Sequence, residues 1–137
     1  MPAVILIASA HVDEALALNV KGHRFHDEAR RYHYQVRELL KQPQQKACYI
    51  FDYRAWFPQQ RYMKQIHDPL IMAEILEELA GNIDVPAAAL KSTVTKYNAF
   101  LKSREQKDLD YNHVTFAPDR KTICECPFHA TRMFHYN

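Results

Sequence analysis

Apolar residues recur along this chain with two different periods, and the changes of period divide it into elements. Ala15–Asn19, Val20–Gly22 and His23–Phe25 read as strand, tight turn and strand. Asn19 can bond its own backbone and Gly22 tolerates positive φ, which is the chemistry a tight turn needs. A helix is predicted from about Glu28 to Gln42, with Asp27 able to cap it. Its apolar positions Tyr32, Val36, Leu39 and Leu40 share one helical face, and Pro43 stops it. Lys46–Asp52 is rich in β-formers but alternates imperfectly, and is predicted as a strand. Tyr53–His67 is aromatic and basic with Pro58 inside it, implying irregular structure or one short helix.

Asp68-Pro69 opens the next predicted helix as a cap residue before a first-turn proline. Leu70, Ile71, Ile75, Leu76 and Leu79 form its expected buried stripe, and Gly81 stands where a C-terminal glycine belongs. Asp84-Val85-Pro86 opens a third helix running to about Lys102. Leu90, Val94, Tyr97 and Leu101 give its spacing of four, three and four. Lys102–Asp119 is polar and charged and reads as a long surface loop, and His129–Tyr136 as a closing strand. The apolar run near Met1 lacks the basic start of a signal peptide and reads as buried strand or lead-in. The predicted class is α+β, a small mixed sheet carrying about three helices in a single domain spanning residues 1–137.

Composition narrows the function. The 137 residues are 47% hydrophobic and 25% charged, which suits an ordinary globular core. Lys and Arg total 18 against 16 Asp and Glu, and a net charge of +2 is no nucleic-acid footprint. No window is apolar for long enough to predict a membrane span. Three cysteines argue against a disulfide scaffold, and the cytoplasm is the expected compartment. Gly22 and Gly81 are the only glycines. Phosphate-cradling loops need several glycines within a few residues, so no dinucleotide fingerprint or Walker loop can be written.

The helical pair within Ala73–Phe100, with Glu77-Glu78-Leu79-Ala80 in one arm and Thr93-Val94-Thr95-Lys96-Tyr97-Asn98 in the other, is distinctive. It resembles the capping (clamp) domain of the fumarate reductase and succinate dehydrogenase-like FAD-dependent flavoproteins. That superfamily includes soluble fumarate reductases, 3-ketosteroid dehydrogenases and tricarballylate dehydrogenases. Asn19–Glu28 is similar to the family's VNxxGxRFxNE, Ala47–Asp52 to AxxIFD, and Cys126–Ala130 to xPFYA. The matches run in the same order and cover most of the chain. The family's Rossmann fingerprint and later glycine-rich segments are not in this sequence. The resemblance therefore implies a cap domain, inactive alone and expected to bind no cofactor itself. FAD belongs to the parent enzyme, and the implied partners are the FAD-binding domain and a small-molecule substrate, an organic acid or ketosteroid.

In such enzymes FAD exchanges a hydride with a C–C bond while a side chain on the cap handles the accompanying proton. In soluble fumarate reductases an arginine four residues beyond the glutamate of RFxNE donates it. Here Glu28 plus four is Tyr32, with Arg30 and Arg31 about 200° and 100° away around a helix. That departure argues against fumarate reduction and is more like the steroid-dehydrogenase branch, where a cap tyrosine is a candidate base. Tyr32, Glu28 and Arg31 are the catalytic candidates, and Arg24, Arg30 and Arg54 the substrate-binding ones. Tyrosine ionises near pH 10 unperturbed, so a basic Tyr32 needs a nearby cation or hydrogen-bond donors, which Arg30, Arg31 or His33 can supply. The plainer reading makes Tyr32 the head of its helix's buried stripe.

Arg24 and Glu28 are either a network supporting the site or a surface ion pair worth about 0–1 kcal/mol. Arg54 either forks a substrate carboxylate or stacks on Tyr53, Trp56 and Phe57. Cys124-x-Cys126-x-x-His129, with His135 beyond, has residue types that suit zinc at an unusual spacing, and the family segment it overlays binds no metal. His26 and His33 near the candidate site are proton relays or solvated surface groups. The alternative function is a stand-alone interaction module reusing the cap fold. Removing a partner domain exposes apolar surface, so a weak homodimer is expected.

Overall fold

The computed structural model describes residues 3–4, 15–28, 30, 32–52, 71–111, 114–116, 120 and 122–136. Five strands and three α-helices occur in them: β1 (Ala3–Val4), β2 (Leu16–Asn19), α1 (Tyr32–Leu40), β3 (Lys46–Phe51), β4 (Ile71–Ala73), α2 (Leu76–Ile83), α3 (Ala87–Lys102) and β5 (Phe128–Tyr136). The α+β class is as predicted. The sheet is antiparallel in every described pairing rather than mixed. The turn at residues 19–23 reverses the chain once before α1 returns it, so β3 comes back against β2 and not alongside it as after a simple crossover.

The strand order is β1-β5-β3-β2, with β4 also on β5. β5 pairs with β3 from Phe51↔His129 to Lys46↔Phe134, and on its other edge with β4 and β1. Burial explains the imperfect alternation of Lys46–Phe51, because both faces of the sheet are covered. Leu16, Leu18, Cys48, Ile50 and Ala130 turn to the main core with Leu79, Ile83, Leu90, Val94, Tyr97 and Leu101 of the α2–α3 pair. Ala17, Tyr49 and Phe51 are also buried but stand outside that cluster, on the alternate positions.

Local chemistry accounts for several boundaries. Asn19 Oδ1 accepts the N–H groups of Lys21 at 3.0 Å and His23 at 3.1 Å, while Gly22 takes φ +81°. The predicted second arm of this hairpin shrinks to one bridge, Leu18↔Arg24. The first helix starts later than predicted, at Tyr32, because Arg30 N–H closes a separate turn on the Asp27 carbonyl at 3.1 Å. The helix predicted from Asp68-Pro69 is also displaced. Those two residues and Leu70 lie outside the described ones, whereas Ile71–Ala73 is strand because β5 offers it a ladder. Ile75, expected in the stripe, is 55% exposed as the residue flanking α2. Gly81 is not the C-terminal residue. The helix runs on to Ile83, and Asp84 takes the left-handed conformation at φ 59°. The third predicted helix agrees with α3, and all four stripe residues are buried. The short helix or irregular stretch predicted for Tyr53–His67 lies outside the described residues.

A buried ion network and the candidate functional site

The turn after β2 places Arg24 and Glu28 four residues apart, both out of solvent, with side-chain exposures of 4% and 0%. Arg24 Nε donates to Glu28 Oε2 at 2.8 Å and Nη2 to Glu28 Oε1. Its opposite edge grips Asp108, Nη1 to Oδ1 at 2.7 Å and Nη2 to Oδ2 at 2.6 Å. Arg120 Nη2 reaches Glu28 Oε1 at 3.1 Å, and the Ala17 backbone N–H donates to Oε2 at 3.0 Å. Two guanidinium groups thus balance two carboxylates in an apolar setting, with every Glu28 oxygen used twice. Burial works against the charge on Arg24, but the Glu28 and Asp108 carboxylates outweigh it and raise its pKa.

Aromatic rings close the network. The Arg24 guanidinium lies 4.8 Å from the Tyr111 ring centre and 5.7 Å from that of Tyr97, and Arg120 lies 5.5 Å from Phe116. Tyr111 also donates its hydroxyl to the Arg24 carbonyl at 2.9 Å, and burial pushes its phenol up to about 12. The reading of Arg24–Glu28 as a surface ion pair is therefore replaced by a buried four-group network. The polar stretch 102–119 is likewise more than a surface loop. Asp108 is 1% exposed, and a bridge between Lys107 and Thr115 folds the segment back. Asp108 and Arg120 carry no local signal in sequence, because their partners stand 84 and 92 residues away.

Both hydrogen-bonding edges of Arg24 are occupied by protein carboxylates, so no fork remains there for a substrate anion. Arg30 is exposed and lies over the Tyr34 ring, 4.4 Å from its centre. Tyr32 is the first residue of α1, and its backbone alone is described. Arg31 and Arg54 lie outside the described residues. His33 is exposed on α1, whereas His26 is fully buried rather than solvated, with Nε2 3.0 Å from the Tyr49 hydroxyl. Burial pulls the His26 pKa below its ordinary value, against the opposing pull of Glu28.

Asp52, buried at the end of β3, accepts the backbone N–H groups of Cys124 and Glu125, each at 3.1 Å. His129 is buried against Phe51 with ring centres 5.4 Å apart, while Cys124 and Cys126 are exposed. Among the described residues no three His, Cys, Asp or Glu side chains come together to hold a metal ion. Neither glycine offers the open backbone cradle that a flavin's pyrophosphate needs. Gly22 is closed by α3, since a Cβ there would meet Ala89 at 3.0 Å, and Gly81 lies within a helix, not in a strand-to-helix loop. No described helix is long and apolar enough to cross a membrane.

No protein-family model and no curated protein matches the sequence. Solved structures do match. The open conformation of a flavocytochrome c3 fumarate reductase superposes with TM-score 0.83 and 26% identity, over 96% of this chain and 23% of that one. A 3-ketosteroid Δ1-dehydrogenase from Sterolibacterium denitrificans, in complex with 1,4-androstadiene-3,17-dione, gives 0.75 and 23%, over 94% and 28%. A fumarate reductase flavoprotein subunit from Lactobacillus plantarum gives 0.67 and 19%, over 92% of this chain and 86% of that one. The chain spans about a quarter of the two enzymes named first. Over nearly its whole described length it has the fold of one domain of the fumarate reductase-like flavoproteins.

Proposed function

We propose that this chain is the substrate-capping domain of an FAD-dependent oxidoreductase that acts on a C–C bond of an organic acid or a ketosteroid. The observation that carries the reading is the superposition of 96% of the chain on one portion of a fumarate reductase at TM-score 0.83. The redox chemistry belongs to a flavin held outside these residues, which offer it no glycine-lined cradle.

The chain's own part is to contact substrate, exclude water and manage one proton. The start of α1 does this, with Tyr32 as the group that holds or releases the proton at its Oη and Arg31, its neighbour in sequence, as the source of positive charge. Arg30 and Arg54 are the remaining cations for a substrate carboxylate or carbonyl. Arg24 and Glu28 are positioning residues, since each is spent on the network that fixes the turn leading into α1. Met72 and Ile75, both more than half exposed, are apolar side chains that the flavin-holding domain covers and that support weak self-association without it.

The test has two arms. The isolated chain, mixed with excess FAD and gel-filtered, retains no flavin and turns over neither fumarate nor a 3-ketosteroid. A stoichiometric flavin or turnover by the chain alone overturns the reading. In a chimaera where this chain replaces the matching segment of a full-length fumarate reductase or ketosteroid dehydrogenase, the enzyme holds flavin and Tyr32→Phe abolishes turnover. A flavin-loaded chimaera that acts on neither substrate class overturns it too.

A further inference from the structure

The three cysteines divide sharply by environment. Cys48 is an ordinary core residue on β3, whereas Cys124 and Cys126 are both exposed, against the strong tendency of cysteine to be buried. The latter two are separated by one residue, and the chain bends at residues 125–127. Bridged cysteines need Cα atoms about 4.4–6.8 Å apart, a span that a bend between residues i and i+2 supplies. The bend does not depend on the sulfurs for its shape. The buried Asp52 carboxylate holds the N–H groups of Cys124 and Glu125, and both cysteines are exposed. The Thr122 hydroxyl lies 3.4 Å from Cys124 Sγ, within hydrogen-bonding reach of the sulfur.

We propose that Cys124 and Cys126 form a dithiol site that exchanges with small disulfides of the glutathione-disulfide class, independently of any flavin chemistry. The Cys124 thiolate attacks one sulfur of the small disulfide. An S–S bond to Cys124 forms and the first small thiolate leaves. Cys126, after losing its proton to solvent, attacks Cys124 Sγ and expels the second small thiolate. One Cys124–Cys126 bond is formed, one small disulfide is reduced to two thiols, and the two protons released by the cysteines end on those thiols.

The full chain, reduced and then placed in glutathione–glutathione disulfide buffers, is quenched with acid and an alkylating agent and read by peptide mass. The wild type is expected to lose two hydrogens within the peptide carrying Cys124 and Cys126, while Cys48 alkylates only after denaturation. Cys126→Ser and Cys124→Ser each keep a lasting glutathione adduct at the remaining cysteine. The wild type clears its adduct at least about tenfold faster than either variant, because the second thiol is held at high effective concentration. Both substitutions fall at exposed positions, and unchanged circular dichroism verifies the fold. A wild type that carries two glutathiones, bridges to a second chain, or stays reduced where single-cysteine variants form adducts overturns the proposal.

Discussion

Glu28→Gln isolates the energetic claim made for the ion network. The two side chains have nearly the same shape, so packing is kept and charge is removed. In the native structure Oε1 takes the Nη2 groups of Arg24 and Arg120, and Oε2 takes Arg24 Nε and the Ala17 N–H. Whichever way the amide is turned, its NH2 group faces two of these donors. Arg24 keeps Asp108, but Arg120 loses its only carboxylate among the described contacts, at 4% side-chain exposure. Breaking a buried pair from one end costs about 3–5 kcal/mol, against about 0–1 kcal/mol for a solvated pair. With a urea slope near 2 kcal/mol per molar, the midpoint falls by roughly 2 M, read by circular dichroism at neutral pH. Adding Arg120→Met removes the stranded charge and is expected to recover part of the loss. A Glu28→Gln loss below about 1 kcal/mol, or a double variant no better than the sum of its singles, refutes the buried-network account.

The two glycines are expected to respond with opposite signs. Gly22→Ala meets Ala89 Cβ at 3.0 Å with φ +81°, and costs about 1–3 kcal/mol in a urea titration. Gly81→Ala, inside α2 with nothing within 4 Å, gains about 0.5–1 kcal/mol. Burial lowers the His129 pKa to about 4, with Asp52 opposing, so the unfolded chain takes up that proton first as pH falls. Its contribution is complete above about pH 6.5 and declines toward pH 4, and His26 acts in the same direction. His129→Phe, which retains the stacking on Phe51, should flatten the fall in urea midpoint between pH 7 and about pH 5, and an unchanged slope contradicts this. Asn98 accepts the Ile123 N–H at 2.7 Å and donates to the Ile123 carbonyl at 3.0 Å. Asn98→Ala is expected to cost about 1–3 kcal/mol, and a loss within 0.5 kcal/mol of zero in thermal or urea unfolding counts against that clamp.

What the sequence discloses here is local periodicity, and what it conceals is partnership. Leu90, Val94, Tyr97 and Leu101 are legible because one helix places them on one face whatever surrounds it. Asn19 and Gly22 are legible because a turn's chemistry lies within four residues. Ile71–Ala73 is misread as helix because its strand state is conferred by β5, far along the chain. Gly81 misleads for a related reason: Asp84 adopts the left-handed conformation that glycine usually supplies. Asp108 and Arg120 look like solvated charges until Arg24 and Glu28 are brought to them. The motif Arg24-x-x-x-Glu28 pointed to the right turn, while the depth of its burial depended on residues that the motif does not contain.

β5 serves both edges at the centre of the sheet, and this has a kinetic cost. A ribosome releases the chain from its amino end, so β3 and β4 emerge more than fifty residues before the strand that both require. Until then Ala47–Ile50 has β2 as its ladder neighbour among the described residues, and its far edge is open to any other nascent strand. Long-range pairing of this kind folds slowly and is exposed to misassembly in the meantime. Slowing translation through residues 128–136 would prolong that vulnerable interval, and a holdase that shelters the unpaired edge would raise the yield of native chain.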